Sequence, residues 1–105
     1  MSDATLVVDQ NGRILAWSDE AEEMLGYPAS EAVGRSIEFI MPPRLRDAHG
    51  TGFARFVQTG RSTLPEVTTT TAVHKNGEQR KLYISVRAVR DARGEIVAVQ
   101  AMMKT

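Results

Sequence analysis

The sequence predicts an α+β fold, in which a five-stranded antiparallel sheet carries short helices and one longer helix on one face. Two observations predict the sheet: short β-branched runs end in glycine-containing turns, and apolar and polar residues alternate strictly along residues 80–89. A third observation predicts the helical layer, because residues 41–56 place apolar side chains three and four positions apart. Helices that lie on one face of an antiparallel sheet define this fold class.

The length and composition bound the classes of function. A chain of 105 residues suits one domain with one core, so we expect residues 1–105 to form a single domain. The 13 basic and 13 acidic residues cancel, which predicts no general attraction to nucleic acid or to an anionic membrane. There is no cysteine, so disulfides and thiolate metal sites are excluded. No signal peptide or membrane span is recognisable, and we expect a cytoplasmic location.

The start of the chain predicts a β-hairpin. Residues 4–8 form a β-branched run, residues 13–17 form a second apolar run, and the Asn-Gly pair between them is typical of a hairpin tip. The polar segment 9–12 is therefore the turn.

Short helices are predicted next. Ser18 is a suitable N-cap for a helix over 19–25, and Gly26 ends it. Residues 30–33 predict another single helical turn, which Gly34 closes, and residues 37–41 predict a further turn that leads into the longer helix.

Residues 41–56 predict the longest helix, which Thr59 and Gly60 end. Two prolines fit its first turn, where a backbone N–H has no partner in any case. The apolar stripe of this helix should face the core, and it comprises Leu45, Ala48, His49, Gly52, Phe53 and Phe56. His49 is thus an imidazole on a buried face beside two glycines that leave space. This pattern leads us to expect that something other than protein occupies the space.

The second half of the chain predicts three successive strands, over 64–74, 80–89 and 96–103, joined by short turns as an antiparallel meander. In the middle strand the core face comprises Leu82, Ile84, Val86 and Ala88. In the last strand Val97, Val99, Ala101 and Met103 should lie on one face and Ile96, Ala98, Gln100 and Met102 on the other, so one of the two methionines should point inward.

The order of two strands, short helices, one long helix and three strands resembles a PAS domain. The resemblance is carried by VVDQNGRILAWSDEAEEMLGY (7–27), VGRSIEFIMP (33–42) and HKNGEQRKLYISVRAVRDARGEIVAV (74–99). Ser18 stands where the family commonly has asparagine. The resemblance implies a sensory module. We do not expect an enzyme, because the sequence shows no paired-carboxylate, nucleophile–base or glycine-rich phosphate-loop pattern. It also implies a homodimer through the sheet face or the N-terminal edge, with an effector domain such as a histidine kinase or cyclase in cis or in trans.

Residues 41–56, MPPRLRDAHGTGFARF, are similar to the long helix of the haem-binding PAS domains of the FixL type. This similarity implies a b-type haem with His49 as the proximal iron ligand and Arg55 near the haem propionates. It also implies that Leu64, Ile84 and Val86 line the distal side. The oxygen sensors carry an arginine on the third strand, and here the matching position falls at Thr68 or Thr69. We therefore expect carbon monoxide, nitric oxide or a redox change as signals at least as readily as oxygen.

The rest of the expected site follows from the residues themselves. Gly52 leaves space in the stripe, Met103 or Met102 points inward as a possible sixth ligand, and the apolar slot is formed by Leu45, Phe53, Leu64, Ile84, Val86 and Met103. Two alternatives stay open. The chain is a cofactor-free interaction module in which ordinary partners satisfy His49, or the same cavity binds a flavin or another small organic molecule.

Overall fold

The computed structural model describes residues 3–60 and 67–105. In chain order the elements are β1 (Ala4–Asp9), β2 (Ile14–Trp17), α1 (Asp19–Leu25), α2 (Ala29–Ala32), a 3₁₀ turn (Ile37–Ile40), α3 (Pro43–Thr59), β3 (Thr68–Val73), β4 (Gln79–Arg90) and β5 (Ile96–Lys104). The predicted order of strands and helices is confirmed. The third strand was expected to begin at Leu64, and this residue lies outside the described part of the chain.

The five strands form one antiparallel sheet in the order β2-β1-β5-β4-β3. The last strand therefore lies in the centre, between the first and the fourth. Ala101 of β5 pairs with Leu6 on one side and with Val86 on the other. These three residues share the face of the sheet that carries the core.

The hairpin tip and the first helix form as the sequence predicts. Gly12 has a φ of +83°, a conformation that favours glycine, and the Asp9 carboxylate accepts hydrogen bonds from the backbone N–H groups of Asn11 and Arg13. The hydroxyl of Ser18 accepts the N–H of Ala21, which caps α1, and it also accepts the N–H of Thr5 in β1. One side chain thus joins the first helix to the sheet.

The expected alternation along β5 is wrong at its beginning. Val97 is 41% exposed, whereas Ile96 is 5% exposed and belongs to the core. The pairing of β4 with β5 shifts between Val89 and Arg90, so one extra residue is accommodated and the alternation changes there. From Val99 to Met103 the expected alternation is correct, because Met103 is buried and Met102 is exposed.

The hydrophobic core lies between the sheet and the helices. Its largest fully buried apolar side chains are Ile14, Leu25 and Leu82. The long helix contributes less to this core than its stripe predicts, because no residue of α3 is fully buried. Ala48 and Gly52 are exposed, while the other members of the stripe, Leu45, His49, Phe53 and Phe56, are half-buried. Within residues 3–60 and 67–105, no helix is both long enough and apolar enough to cross a membrane.

Candidate functional site

An apolar cavity of about 110 Å³ lies between α3 and the sheet. Its helical side is lined by Ile37, Ile40, Met41, His49 and Phe53. Its sheet side is lined by Leu6, Val8, Thr70, Thr71, Ala72, Leu82, Ile84, Val86, Val99, Ala101 and Met103. The imidazole of His49 and the two threonine hydroxyls are the polar side-chain groups of this wall. The cavity is therefore suited to an apolar body with few polar contacts.

The structure brings half of the expected site residues together. His49, Phe53, Ile84, Val86 and Met103 line the cavity. Met103 reaches it because the odd-numbered residues of this part of β5 face the core, and Met102 lies on the opposite, exposed face.

Other expected residues lie elsewhere. Leu45, Gly52, Arg55 and Thr68 do not contribute to the cavity wall, and Arg55 is exposed on α3. Leu64 lies outside the described residues. On the third strand Thr70 and Thr71 take the place that was expected for Thr68. Thr68 is the first residue of β3, where it pairs with Ile84, and it does not reach the cavity wall.

His49 is the distinctive group of the site. Its Nδ1 atom is buried and has no hydrogen-bond partner, although the side chain as a whole is 30% exposed. The ring stacks on Phe53, with the two centroids 5.6 Å apart and the planes 22° apart. Buried polar atoms are nearly always hydrogen-bonded in folded proteins, to protein groups or to ordered water, so Nδ1 needs a partner that the described residues do not supply at hydrogen-bond distance.

Burial lowers the pKa of His49 below its ordinary value, and the nearby Glu38 carboxylate opposes part of this shift. Oε2 of Glu38 lies 3.7 Å from Nδ1, which is beyond hydrogen-bond distance but close enough for electrostatic attraction. The net effect keeps the imidazole neutral at neutral pH. A neutral imidazole is the form that binds metal ions.

The sequence did not identify Glu38 as part of the site. It lies in the 3₁₀ turn, eleven positions before His49 and on a different element, so helical periodicity does not connect the two residues. The sequence offered one indirect signal. Ile37 and Ile40 are apolar and are buried in this turn, and their burial fixes the side of the turn from which Glu38 projects.

The arginines at the start of α3 have partners outside the cavity. Arg44 donates to the side-chain amide oxygen of Gln79, and Arg46 donates to the carbonyl of Met41. Among residues 3–60 and 67–105, no three His, Asp or Glu side chains form a metal-binding group. His49 is thus a single candidate ligand in an apolar wall.

The whole chain, residues 1–105, matches the family model of the PAS fold. The chain belongs to the PAS family. The resemblance inferred from the three sequence segments is confirmed, and the cavity between α3 and the sheet is therefore the interior of a PAS domain.

Known proteins resemble this PAS domain in sequence and in structure. The sensor protein FixL of Bradyrhizobium diazoefficiens is 33% identical over 57 residues, which are 54% of this chain and 11% of that protein. The PAS domain of a Colwellia psychrerythraea protein superposes with a TM-score of 0.82 at 18% identity, and the match covers 97% of this chain and 84% of that one. The PAS domain of the Cronobacter turicensis quorum-sensing receptor RpfR, solved with C12:0, has a TM-score of 0.80 at 17% identity and covers 99% and 93%. The match to FixL spans about a tenth of that protein, and the two structural matches support the fold.

Proposed function

We propose that this PAS domain is a sensory module that binds a b-type haem through His49 and responds to a diatomic gas or to the oxidation state of the iron. The observation that carries the proposal is the state of the His49 imidazole. It is kept neutral by burial, it forms part of an apolar wall, and one of its nitrogens has no hydrogen-bond partner. A haem iron that is held by histidine needs a neutral imidazole, here in a dry, apolar slot.

The similarity to FixL supports the same function. It extends over about half of this chain at 33% identity. The resemblance of residues 41–56 to the haem-binding helix of FixL-type sensors implies that His49 occupies the proximal position.

The residues around the cavity fit a haem in their chemistry, whereas the cavity is too small in this structure. Its volume of about 110 Å³ is below the ~300 Å³ at which ordinary ligand pockets begin. Haem binding therefore requires α3 to move away from the sheet. The absence of fully buried residues in α3 favours this movement, which would break the contacts of Phe53 and Phe56 with the core.

With haem present, His49 would bind the iron, while Phe53 would support the imidazole and Ile84, Val86 and Met103 would contact the porphyrin. The bound iron would supply the capacity to take a gas molecule or to change oxidation state. Thr70 and Thr71 are the hydroxyl groups of the cavity wall that are available for a polar contact.

Titration of the purified protein with haem tests this function. We expect the wild type to bind haem and to show an intense Soret band, and we expect His49→Ala to lose the wild-type spectrum. His74→Ala is the matched control, because the chain has two histidines and His74 lies in the turn between β3 and β4. A wild-type protein that does not bind haem, or a His49→Ala variant with the wild-type spectrum, contradicts the proposal.

A second candidate function follows from the size of the cavity. A cavity of about 110 Å³ is nearer to the size of a small apolar molecule than to that of haem, since an engineered cavity of roughly 150 Å³ binds benzene. The RpfR PAS domain, which has a similar fold, was solved with the aliphatic molecule C12:0. If saturating apolar ligands raise the melting temperature of the protein while haem does not, this second function replaces the first.

We also propose that the domain forms a homodimer through the outer face of the sheet and passes its signal to an effector domain, such as a histidine kinase or a cyclase, in the same chain or in a separate one. Tyr83, Val89 and Met102 alternate with the core residues on β4 and β5, and each is about 40% exposed.

Sedimentation of the wild type and of Met102→Lys tests the dimer. We expect a wild-type dimer that the variant weakens; a wild-type monomer at high protein concentration contradicts this proposal.

A further inference from the structure

We propose that α3 is a bending gate over the cavity: it opens outward at Gly50 and Gly52, in the middle of the helix, while both of its ends stay attached to the domain. This inference goes beyond the proposed function, because it concerns how the cavity is reached and holds for haem and for a smaller apolar ligand alike. The cavity of about 110 Å³ is then the closed state of the gate.

The first observation is that neither the backbone nor the packing of the closed helix requires these two glycines. Gly50 and Gly52 are not among the glycines with a positive φ. In the described part of the chain, a Cβ atom at Gly52 would have no neighbour within 4 Å, and one at Gly50 would meet Oε2 of Glu38 at an ordinary contact distance of 3.5 Å. Alanine would fit at both positions and is the better helix former, so the glycines weaken the helix without allowing a closer contact.

The second observation is the position of the glycines. Thr51, which lies between them, is the midpoint of α3 (Pro43–Thr59). His49 and Phe53, the residues of α3 that line the cavity, lie directly on either side of the glycine pair. Thr51 and Gly52 are exposed, so water can hydrogen-bond the backbone groups that a bend releases. A bend at this point therefore moves outward the part of the cavity wall that α3 supplies.

The third observation is that the beginning of α3 is attached to the core. Pro42, which precedes the helix, is fully buried, and its carbonyl accepts the N–H of Leu45. The guanidinium of Arg46 donates to the carbonyl of Met41, which packs against the core. The first turn of the helix is therefore held in place by a buried residue and by two hydrogen bonds.

The end of α3 is attached in a different way. Phe56 packs against the core, and its carbonyl accepts the N–H of Gly60, which closes the helix. Gly60 lies so close to β4 that a Cβ atom there would be 2.7 Å from Nη2 of Arg90. Nη1 of the same guanidinium donates to the carbonyl of Gly94. The end of the helix therefore lies against the turn that joins β4 and β5.

These attachments determine how the cavity opens. If α3 separated from the sheet as a rigid body, both Phe53 and Phe56 would leave the core. A bend at the glycines moves His49 and Phe53 outward and keeps Phe56 in place, so less apolar surface is exposed to water. Glycine adopts bent backbone conformations more readily than other residues, and Gly50 and Gly52 therefore lower the free energy of this opening.

Amide hydrogen exchange of the ligand-free protein, followed by NMR, tests the hinge. An ordinary helix exchanges fastest at its ends. After correction for intrinsic rates, we expect the opposite here: the amides of Phe53 and Ala54, at the bend, should exchange faster than those of Val57 and Gln58 near the end of α3. Gly52→Ala should slow the exchange of the first pair about 5-fold and leave that of the second pair unchanged.

Asp47→Ala is the matched control, because Asp47 is exposed on α3 and alanine is the better helix former there as well. It should leave the exchange of Phe53 and Ala54 unchanged. The rate of haemin uptake, measured by stopped-flow absorbance, then tests the gate. Gly52→Ala should take up haemin about 5-fold more slowly than wild type, and Asp47→Ala should do so at the wild-type rate.

The exchange measurement contains no ligand, so its outcome is separate from that of the haem function. Equal protection along α3 in wild type, or a slowing in Gly52→Ala that extends evenly over the whole helix, would show that the glycines do not form a hinge. Haemin uptake at the wild-type rate in Gly52→Ala would show that the hinge does not control entry. If wild type takes up no haemin, the haem function is wrong and the rates are compared with benzene instead; a wild type that takes up neither probe contradicts the gate as well.

Discussion

The imidazole of His49 lies against the ring of Phe53, one helical turn further along α3, with the centroids 5.6 Å apart. Residues four positions apart on a helix are neighbours on its surface, so the two rings support each other. Both rings line the cavity, and Phe53 also packs against the core. The pair therefore connects the candidate ligand to the stability of the helix.

We predict that Phe53→Ala lowers the free energy of unfolding by about 2 kcal/mol, since a half-buried ring contributes less than the 3–5 kcal/mol of a fully buried one. Urea denaturation of the purified protein measures this change. Leu15→Ala serves as the control and should change the free energy by less than about 0.5 kcal/mol, because Leu15 is 53% exposed. Equal losses in the two variants would show that Phe53 does not hold α3 to the core.

Stability should depend on pH through His49. Burial lowers the pKa of this residue in the folded protein below its value of 6.5 in the unfolded chain. Below pH 6.5 the unfolded chain therefore binds more protons than the folded protein does. The contribution of His49 to the free energy of unfolding is fully present above pH 6.5 and is lost as the pH decreases through the folded-state pKa. Urea denaturation at a series of pH values, for wild type and His49→Gln, isolates this contribution. A pH profile that is identical in the two proteins would rule it out.

Ser18 should contribute more to stability than an ordinary cap, because its hydroxyl accepts two hydrogen bonds. One comes from Ala21 in α1 and one from Thr5 in β1. Ser18→Ala should lower the free energy of unfolding by ~1–2 kcal/mol. Ser18→Asn should retain much of the stability, because asparagine is also a good N-cap. Urea denaturation of both variants checks this, and a loss below ~0.5 kcal/mol in Ser18→Ala would contradict it.

The cavity itself can be tested by filling it. Ala101 lies in the central strand and lines the cavity wall. Ala101→Leu should raise the free energy of unfolding of the haem-free protein by ~0.5–1 kcal/mol and should weaken haem binding, because the added side chain occupies the space. Denaturation and haem titration of the same variant provide both measurements. Destabilisation of the haem-free protein would indicate that the space is not open.

Local rules allowed most of the fold to be predicted from the sequence. The turn at Gly12, the cap at Ser18 and the alternation along the first half of β4 each depend on neighbouring residues, and each formed as expected. In the second half of β4 the burial departs from the expected alternation, because Val86 is 41% exposed. The reversed faces of Val97 and Ile96 were not predictable in this way. They result from a register shift between β4 and β5, which depends on the pairing of two strands rather than on either strand alone.

The site was predictable only in part, for a similar reason. His49 and Phe53 lie on one helical stripe, so periodicity placed them on the same face. The approach of Glu38 to His49 depends on how the 3₁₀ turn lies against α3, and no spacing rule encodes that arrangement. The limited burial of α3 was also unexpected, because an apolar stripe predicts which face points inward but not how closely the helix packs.

Chemical rescue of the ligand tests the central claim most directly. His49→Gly removes the imidazole, and free imidazole added to the haem-loaded variant can occupy the vacated position. We predict that the wild-type haem spectrum is lost in His49→Gly and returns when imidazole is added, while His74→Gly retains the wild-type spectrum throughout. A His49→Gly variant that shows the wild-type spectrum without imidazole would contradict the account, because the iron would then have another protein ligand.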